Sequence, residues 1–127
     1  MLSIIIINYN TKILTQQCID SICLNTPTDF NYEIIVVDNS SDYKQIFEES
    51  SAVKVIKTEN KGFGHACNVG AKAACGDVLL MLNSDTIITD NSIAKAYNAL
   101  IKRDNIGILG AKLLLEDKTM DHGSKRG

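Results

Sequence analysis

The sequence predicts an α/β fold, three layers around a mostly parallel central sheet, and three observations carry that prediction. Apolar runs at 4–7, 34–37 and 78–82 contain no polar residue, which is the pattern of strands covered on both faces. Stretches with helical periodicity lie between strand-like runs, at a spacing of about 25 to 30 residues, as in βαβ units. Each of the three runs ends in a polar tip: Asn8-Tyr9-Asn10, Asp38-Asn39-Ser40 and Asn83-Ser84-Asp85. In a parallel sheet such tips gather at the carboxyl edge, where open α/β sheets bind their ligands. Right-handed crossovers would then cover both faces.

The elements follow in order. Residues 3–7 read as a first, buried strand. Thr11 reads as the cap of a helix in which Leu14, Cys18, Ile22 and Ile19, Cys23 recur at i, i+4, and Pro27 lies just past its end. A second strand over 32–37 delivers Asp38, and a short polar helix over 43–49 leads to a third strand over 53–57. The stretch 59–86 organises the rest. It reads as a polar loop with Gly62 and Gly64, a small-residue helix from about 64 to a stop at Gly76, a buried strand over 78–82, and the tip ending in Asp85. Asn68 and Gly70 are poor choices for a helix interior, and propensity does not account for having both. Beyond the tip, Asp90 or Asn91 can cap a helix that places Ile93, Tyr97, Leu100 and Ile101 on one face. Residues 106–109 are apolar, 112–115 continue extended, and Glu116-Asp117-Lys118 reads as a turn. No repeat, linker or low-complexity segment interrupts the chain, so residues 1–127 read as a single domain.

Bulk composition narrows the function. The chain has 127 residues, of which 45% are apolar, enough for a packed core. Thirteen basic against fifteen acidic residues leave a net charge of −2, with no basic patch for nucleic acid apart from the short run Lys125-Arg126. The start lacks the charged region of a signal peptide, and nothing approaches the roughly 20 apolar residues of a membrane helix, so a cytoplasmic location is expected. Cys18, Cys23, Cys67 and Cys75 fall in expected helices without a histidine pair to complete a zinc site, and read as reduced, buried small hydrophobes. His65 reads as a surface residue of a first helical turn.

Two carboxylates, several amides and a glycine loop at one edge suit a polyanionic ligand held through a metal. Asp85 is the natural ligand for a hard divalent cation, magnesium or manganese, with phosphate oxygens and water filling its other positions. Asp38 cannot profitably face a diphosphate directly and serves better as an acceptor for a base N–H or a ribose hydroxyl. Gly62 and Gly64 let backbone N–H groups approach phosphate at a helix start. Taken singly, each of these segments also reads as an ordinary turn or cap. Their joint placement at one edge is what points to a site.

The residues SIIIINYN at the start, IIVVDNSS at 34–41, ENKGFGHACNVGAKAACGDVLLMLNSDT at 59–86 and GILGAKLLLEDKTMDHGS at 107–124 resemble the amino-terminal, nucleotide-binding part of the family 2 inverting glycosyltransferases, above all their rhamnosyltransferase-like branch. The resemblance spans essentially the whole chain. It implies a GT-A fold, a nucleotide-diphosphate-sugar donor, a glycan or lipid-linked acceptor and a role in cell-surface polysaccharide or glycoconjugate synthesis, with peripheral attachment at the cytoplasmic membrane face. Tyr9, with Asn8 beside it, would line the nucleobase pocket, and Asp38 would bind base or ribose. Gly62 and Asn68 would border the diphosphate. Asn83-Ser84-Asp85 would be the DXD-type motif, with Asn83 near the ribose and Asp85 on the metal. The chain departs from the family pattern at Asn83, which replaces the first aspartate of that motif, at Ile7-Asn8, where proline-threonine is common, and at Lys118, where a turn glycine is usual. The family's catalytic base lies in a later acidic motif, expected beyond Gly127.

Other readings remain. A sugar nucleotidyltransferase would carry a glycine-rich basic loop after the first strand, where this chain has Asn8-Tyr9-Asn10-Thr11. A dinucleotide-dependent oxidoreductase would need glycine at Cys67 and its motif after the first strand. A non-catalytic nucleotide-binding module is the third.

Overall fold

The computed structural model describes residues 1–41 and 47–122. Four strands, β1 (Leu2–Asn8), β2 (Tyr32–Asp38), β3 (Val53–Lys57) and β4 (Val78–Asn83), form one all-parallel sheet in the order β3-β2-β1-β4. Three helices accompany them, α1 (Lys12–Asn25), α2 (Phe63–Ala73) and α3 (Ser92–Ile101). From β1 the chain steps outward through β2 to β3, then returns to the other side of β1 with β4. That reversal puts a topological switch point at the carboxyl ends of β1 and β4.

Because strand side chains alternate, the register assigns each residue a face. Ile5, Ile35, Val37 and Ala66 form a buried cluster, with Ile7, Ile56 and Val69 packed around it, so α2 covers the odd-numbered face of β1 and β2. Gly70 explains itself there. A Cβ at this position would lie 2.5 Å from Ile5 Cγ2 and 3.2 Å from Val37 Cγ2. Its absence lets the helix backbone rest on the sheet. The opposite face carries Ile4, Ile6, Ile34 and Val36, all fully buried, and Thr15 of α1 reaches it through Asn8.

Strand boundaries lie within about one residue of those expected, and β3 coincides. Four expectations need correction. The strand at 78–82 is not covered on both faces: β4 is an edge strand, and Leu79 and Met81 on its α2 side are 42% and 46% exposed because α2 lies over β1 and β2. The buried stripe of α1 runs through Thr15, Cys18, Ile19 and Ile22, leaving Leu14 and Cys23 outside it. Helix α2 ends at Ala73 rather than at Gly76, so Cys75 lies beyond it, exposed. Gly76 is instead a point of crowding, where a Cβ would meet Met1 O at 2.5 Å. Neither Asp90 nor Asn91 has the extended backbone of a usual cap; both have φ of 52°, and Asn91 Oδ1 accepts no hydrogen bond. The short helix expected over 43–49 lies mostly outside the described residues, and 47–49 are irregular.

By packing, the chain divides into two compact units, Met1–Ala94 and Lys95–Gly127. In the second, 113–115 form the first arm of a tight hairpin around the expected turn at 116–118, with a Leu114–Met120 bridge, Leu115 N–H donating to Thr119 O and Lys118 N–H donating to Leu115 O. Lys118 sits in its turn with φ of 65°, the left-handed region that favours glycine.

Candidate functional site

Asn8, Asp38 and Lys57 close three adjacent strands at one register, Asn8 opposite Asp38 and Asp38 opposite Lys57. They form a row across the carboxyl edge on the α1 face. Asn8 and Asp38 are fully buried, and they are bonded to each other: Asn8 Nδ2 donates to Asp38 Oδ1 at 2.9 Å and to Ser40 Oγ at 3.1 Å. The amide's other end is equally fixed, because Asn8 Oδ1 accepts from Thr15 Oγ1 at 2.8 Å and Thr11 Oγ1 at 3.2 Å. Thr11 holds the cap position of α1 yet makes no side-chain cap bond, since its hydroxyl is used here. Asp38 Oδ1 also accepts from Ser40 N–H at 3.1 Å.

Asp38 Oδ2 is different. It accepts no aligned hydrogen bond and faces Lys57 Nζ at 3.0 Å as an ion pair, the lysine side chain 46% exposed and the carboxylate 0%. Burial alone would push the Asp38 carboxyl up. Hydrogen bonds from Ser40 and Asn8, together with the Lys57 ammonium, outweigh that and hold it below the ordinary carboxylate value, so it is ionised at neutral pH.

A second group continues along the edge. Asn39 is 4% exposed; its Nδ2 reaches Asn60 Oδ1 at 3.4 Å, while its own Oδ1 accepts nothing. Asn60 Oδ1 in turn accepts from Gly62 N–H at 3.2 Å. Gly62 precedes α2 with φ of 94° in open space, a conformation that excludes most other residues. This relay ties the glycine loop to the end of β2. Asn68 is exposed on α2, and Tyr9 is 49% exposed after β1.

The β4 tip lies against the start of α1, with Thr11 Oγ1 and Ser84 Oγ 3.3 Å apart and Cys18 Sγ donating to Asn83 O at 3.8 Å. Burial first, and then the negative charge of Asp85, push the Cys18 thiol up to about 11. The side chains of Asn83 and Asp85 are exposed. Among the described residues no three histidine, cysteine or acidic side chains converge. One exposed carboxylate suits a hard cation that arrives with phosphate oxygens and water, and does not suit a cation caged by protein alone.

The structure therefore brings Asn8 and Asp38 into direct contact and joins Gly62 to them through Asn39 and Asn60. It leaves Asn68, Asn83 and Asp85 as exposed residues without a shared bond. Sequence reasoning missed Thr11, Thr15, Asn39, Ser40 and Lys57 as parts of the network. Only register could have found Lys57, since it is one of two lysines in an alternating strand. A separate hollow lined by Glu33, Glu49, Ser50 and Lys54 lies at the opposite, amino end of β2 and β3. Glu33 there accepts from Ser3 Oγ and Cys75 N–H, bonds that fasten the connection from α2 to β4.

Comparison with known proteins is consistent in direction. The sequence profile described as Glycosyl transferase family 2 matches residues 3–119. An uncharacterized glycosyltransferase of Haemophilus influenzae is 34% identical over 112 residues, covering 86% of this chain and 37% of its own length. The crystal structure of S. aureus TarS 1-349 superposes with a TM-score of 0.61 at 26% identity, over 80% of this chain and 32% of that one. A mannosyltransferase of Pyrobaculum calidifontis, solved in complex with GDP-Man and Mn2+, gives 0.64 at 22% identity, over 78% and 32%, a likeness of fold. The chain spans well under half the length of the curated relatives it matches.

Proposed function

Because the chain belongs to glycosyl transferase family 2 and has its GT-A fold, we propose that residues 1–127 act as one nucleotide-sugar-binding domain of an enzyme that transfers a sugar, with inversion, from a nucleoside-diphosphate donor to an acceptor hydroxyl. The observation that carries the reading is Asp38. It is a buried, ionised carboxylate at the carboxyl edge, with one oxygen bonded by Asn8 and Ser40 and the other held by the half-exposed Lys57 ammonium at 3.0 Å. A carboxylate so placed can accept from a ligand N–H or hydroxyl that takes over Oδ2 from the lysine.

In this reading the chain's residues bind and orient the donor. Asp38 takes a base N–H or ribose hydroxyl, Tyr9 offers its exposed ring to the base face, and Asn8 holds Asp38 in position. Gly62 and Asn68 border the diphosphate, and Asn83 faces the ribose. Asp85 would hold magnesium or manganese, which supplies charge neutralisation for the departing nucleoside diphosphate. Support for the cation is the fit of Asp85 to a phosphate-completed shell and the Mn2+ named with the Pyrobaculum mannosyltransferase. We assign the base that deprotonates the acceptor to no residue of this chain. Asp117, for instance, is committed to the hairpin turn through Thr119. The acceptor class proposed is a glycan or lipid-linked glycan of cell-surface polysaccharide synthesis, acting at the cytoplasmic side. No helix among the described residues is long and apolar enough to cross a membrane. Family membership displaces the nucleotidyltransferase and oxidoreductase readings.

The test is thermal unfolding of wild type and Asp85→Ala with UDP, dTDP or GDP, each with and without Mn2+. A nucleotide at about 100 times its Kd adds roughly 2.7 kcal/mol, a rise on the order of 10 °C for a domain of this size. We expect one nucleotide to give a metal-dependent rise that Asp85→Ala removes. A folded wild type that no nucleotide moves would refute the reading.

A further inference from the structure

Building on the donor-site reading, we infer that Lys57 is a nucleotide-contacting specificity residue. Without nucleotide its ammonium occupies Asp38 Oδ2; with nucleotide it turns to a base carbonyl while the adjacent ring N–H of that base takes over the carboxylate oxygen.

The geometry leaves little alternative for a donor that must reach Asp38. Oδ1 already accepts from Asn8 Nδ2 and Ser40 N–H, and the side chain has no exposed surface. Only Oδ2 can take a new donor, and Lys57 Nζ stands 3.0 Å from it. Either the carboxylate or the lysine has to yield. Asp38 is fixed by two hydrogen bonds to Oδ1 and sits in an inner strand between β1 and β3. Lys57 ends an edge strand, is half exposed, and carries its charge on a flexible four-carbon stem. The lysine is the part that moves.

A displaced ammonium beside a buried carboxylate needs an acceptor close by. In an imide or lactam ring the atom flanking the N–H is a carbonyl oxygen, so uracil, thymine or guanine can satisfy carboxylate and ammonium together. The ring N–H of these bases is also more acidic than an amino group and makes the stronger bond to a carboxylate. The pairing edges of cytosine and adenine carry no ring N–H. Carboxylate and lysine side by side thus read the base as a pair. A purely structural ion pair makes a different prediction, because its loss would lower stability and weaken all nucleotides alike.

The experiment is calorimetric titration of the chain, Mn2+ present, with UDP, GDP, CDP and ADP, for wild type, Lys57→Gln and Lys57→Arg, after unfolding curves confirm that each variant is folded. Wild type is expected to favour UDP or GDP over CDP and ADP. Lys57→Gln is expected to weaken the favoured nucleotide on the order of tenfold and leave CDP and ADP nearly unchanged, collapsing the preference. An equal loss for all four, or an unchanged preference, overturns the proposal while the donor-site reading stands. Should Lys57→Gln fail to fold, Lys57→Arg keeps the charge and grips Oδ2 with a planar fork. Undiminished affinity for the favoured nucleotide in that variant overturns it equally. If the folded wild type binds no nucleotide at all, the donor-site reading falls and takes this inference with it.

Discussion

Replacing Gly70 with alanine sets two physical effects against each other. In an isolated helix alanine is favoured over glycine by about 1 kcal/mol. In α2 the new Cβ would stand 2.5 Å from Ile5 Cγ2, 3.2 Å from Val37 Cγ2 and 3.4 Å from Ile5 Cγ1. Carbon atoms pack at about 3.5 to 4.0 Å, so the helix must lift by roughly 1 Å or the side chains must turn away. Neither partner turns easily, because Ile5 and Val37 are β-branched, fully buried, and set on inner strands of the sheet. Overpacking of this kind costs about 1 to 3 kcal/mol. At the middle of that range, about 2 kcal/mol, the net loss after the gain in propensity is about 1 kcal/mol, seen as a fall of roughly 4 °C in Tm by circular dichroism. Asn68→Ala, on the same helix but exposed, is the control and should gain a few tenths of a kcal/mol. A Gly70→Ala protein that melts at or above the wild type would show that propensity wins, and the close approach of α2 to the sheet would be wrong.

Three further outcomes follow from the same structure. Asp38 titrates lower in the folded chain than unfolded, so its bonds contribute fully at pH values above the unfolded pKa of about 4 and are lost as the pH falls through the depressed folded value; Asp38→Asn should flatten this acid limb in urea-unfolding curves taken from about pH 5 down to about pH 2, and a limb of unchanged steepness would rule the carboxylate out as its source. With iodoacetamide at pH 8, mass spectrometry should find Cys23 and Cys75 modified first and Cys18 last, since Cys18 is buried with its thiol pushed up to about 11; early labelling of Cys18 in the native chain would contradict its placement. Lys118→Gly should relieve the left-handed φ of 65° by about 1 kcal/mol and slow hydrogen exchange at the amides of Leu115 and Asp121, whereas faster exchange would mean the turn has another geometry.

What could be read beforehand was local. An apolar run closed by a polar tip fixes a strand's end, and β1, β2 and β4 stop at Asn8, Asp38 and Asn83 accordingly. What could not be read depends on neighbours. The run 78–82 looks the same whether one face or two are covered, and only the sheet order shows β4 at the edge with Leu79 and Met81 uncovered. Gly70 was visible as a misfit in its helix, but its reason is the position of Ile5 and Val37. Thr11 has the composition of a cap, yet its hydroxyl is drawn to Asn8, a partner the sequence does not reveal. Lys57 became part of the site only once β3 was paired to β2 in a definite register.

The row formed by Asn8, Asp38 and Lys57 gives the site a reading frame. Its members meet only because each is counted from the same baseline in its own strand. Deleting one residue inside β2 would turn the carboxylate to the α2 side of the sheet, and inserting two would keep its side but carry it about 6.6 Å past its partners. Neither indel need remove the strand or its apolar character. The strand interiors that frame this edge should therefore tolerate substitutions far more readily than changes of length, and length variation between functional variants should be confined to the connecting loops.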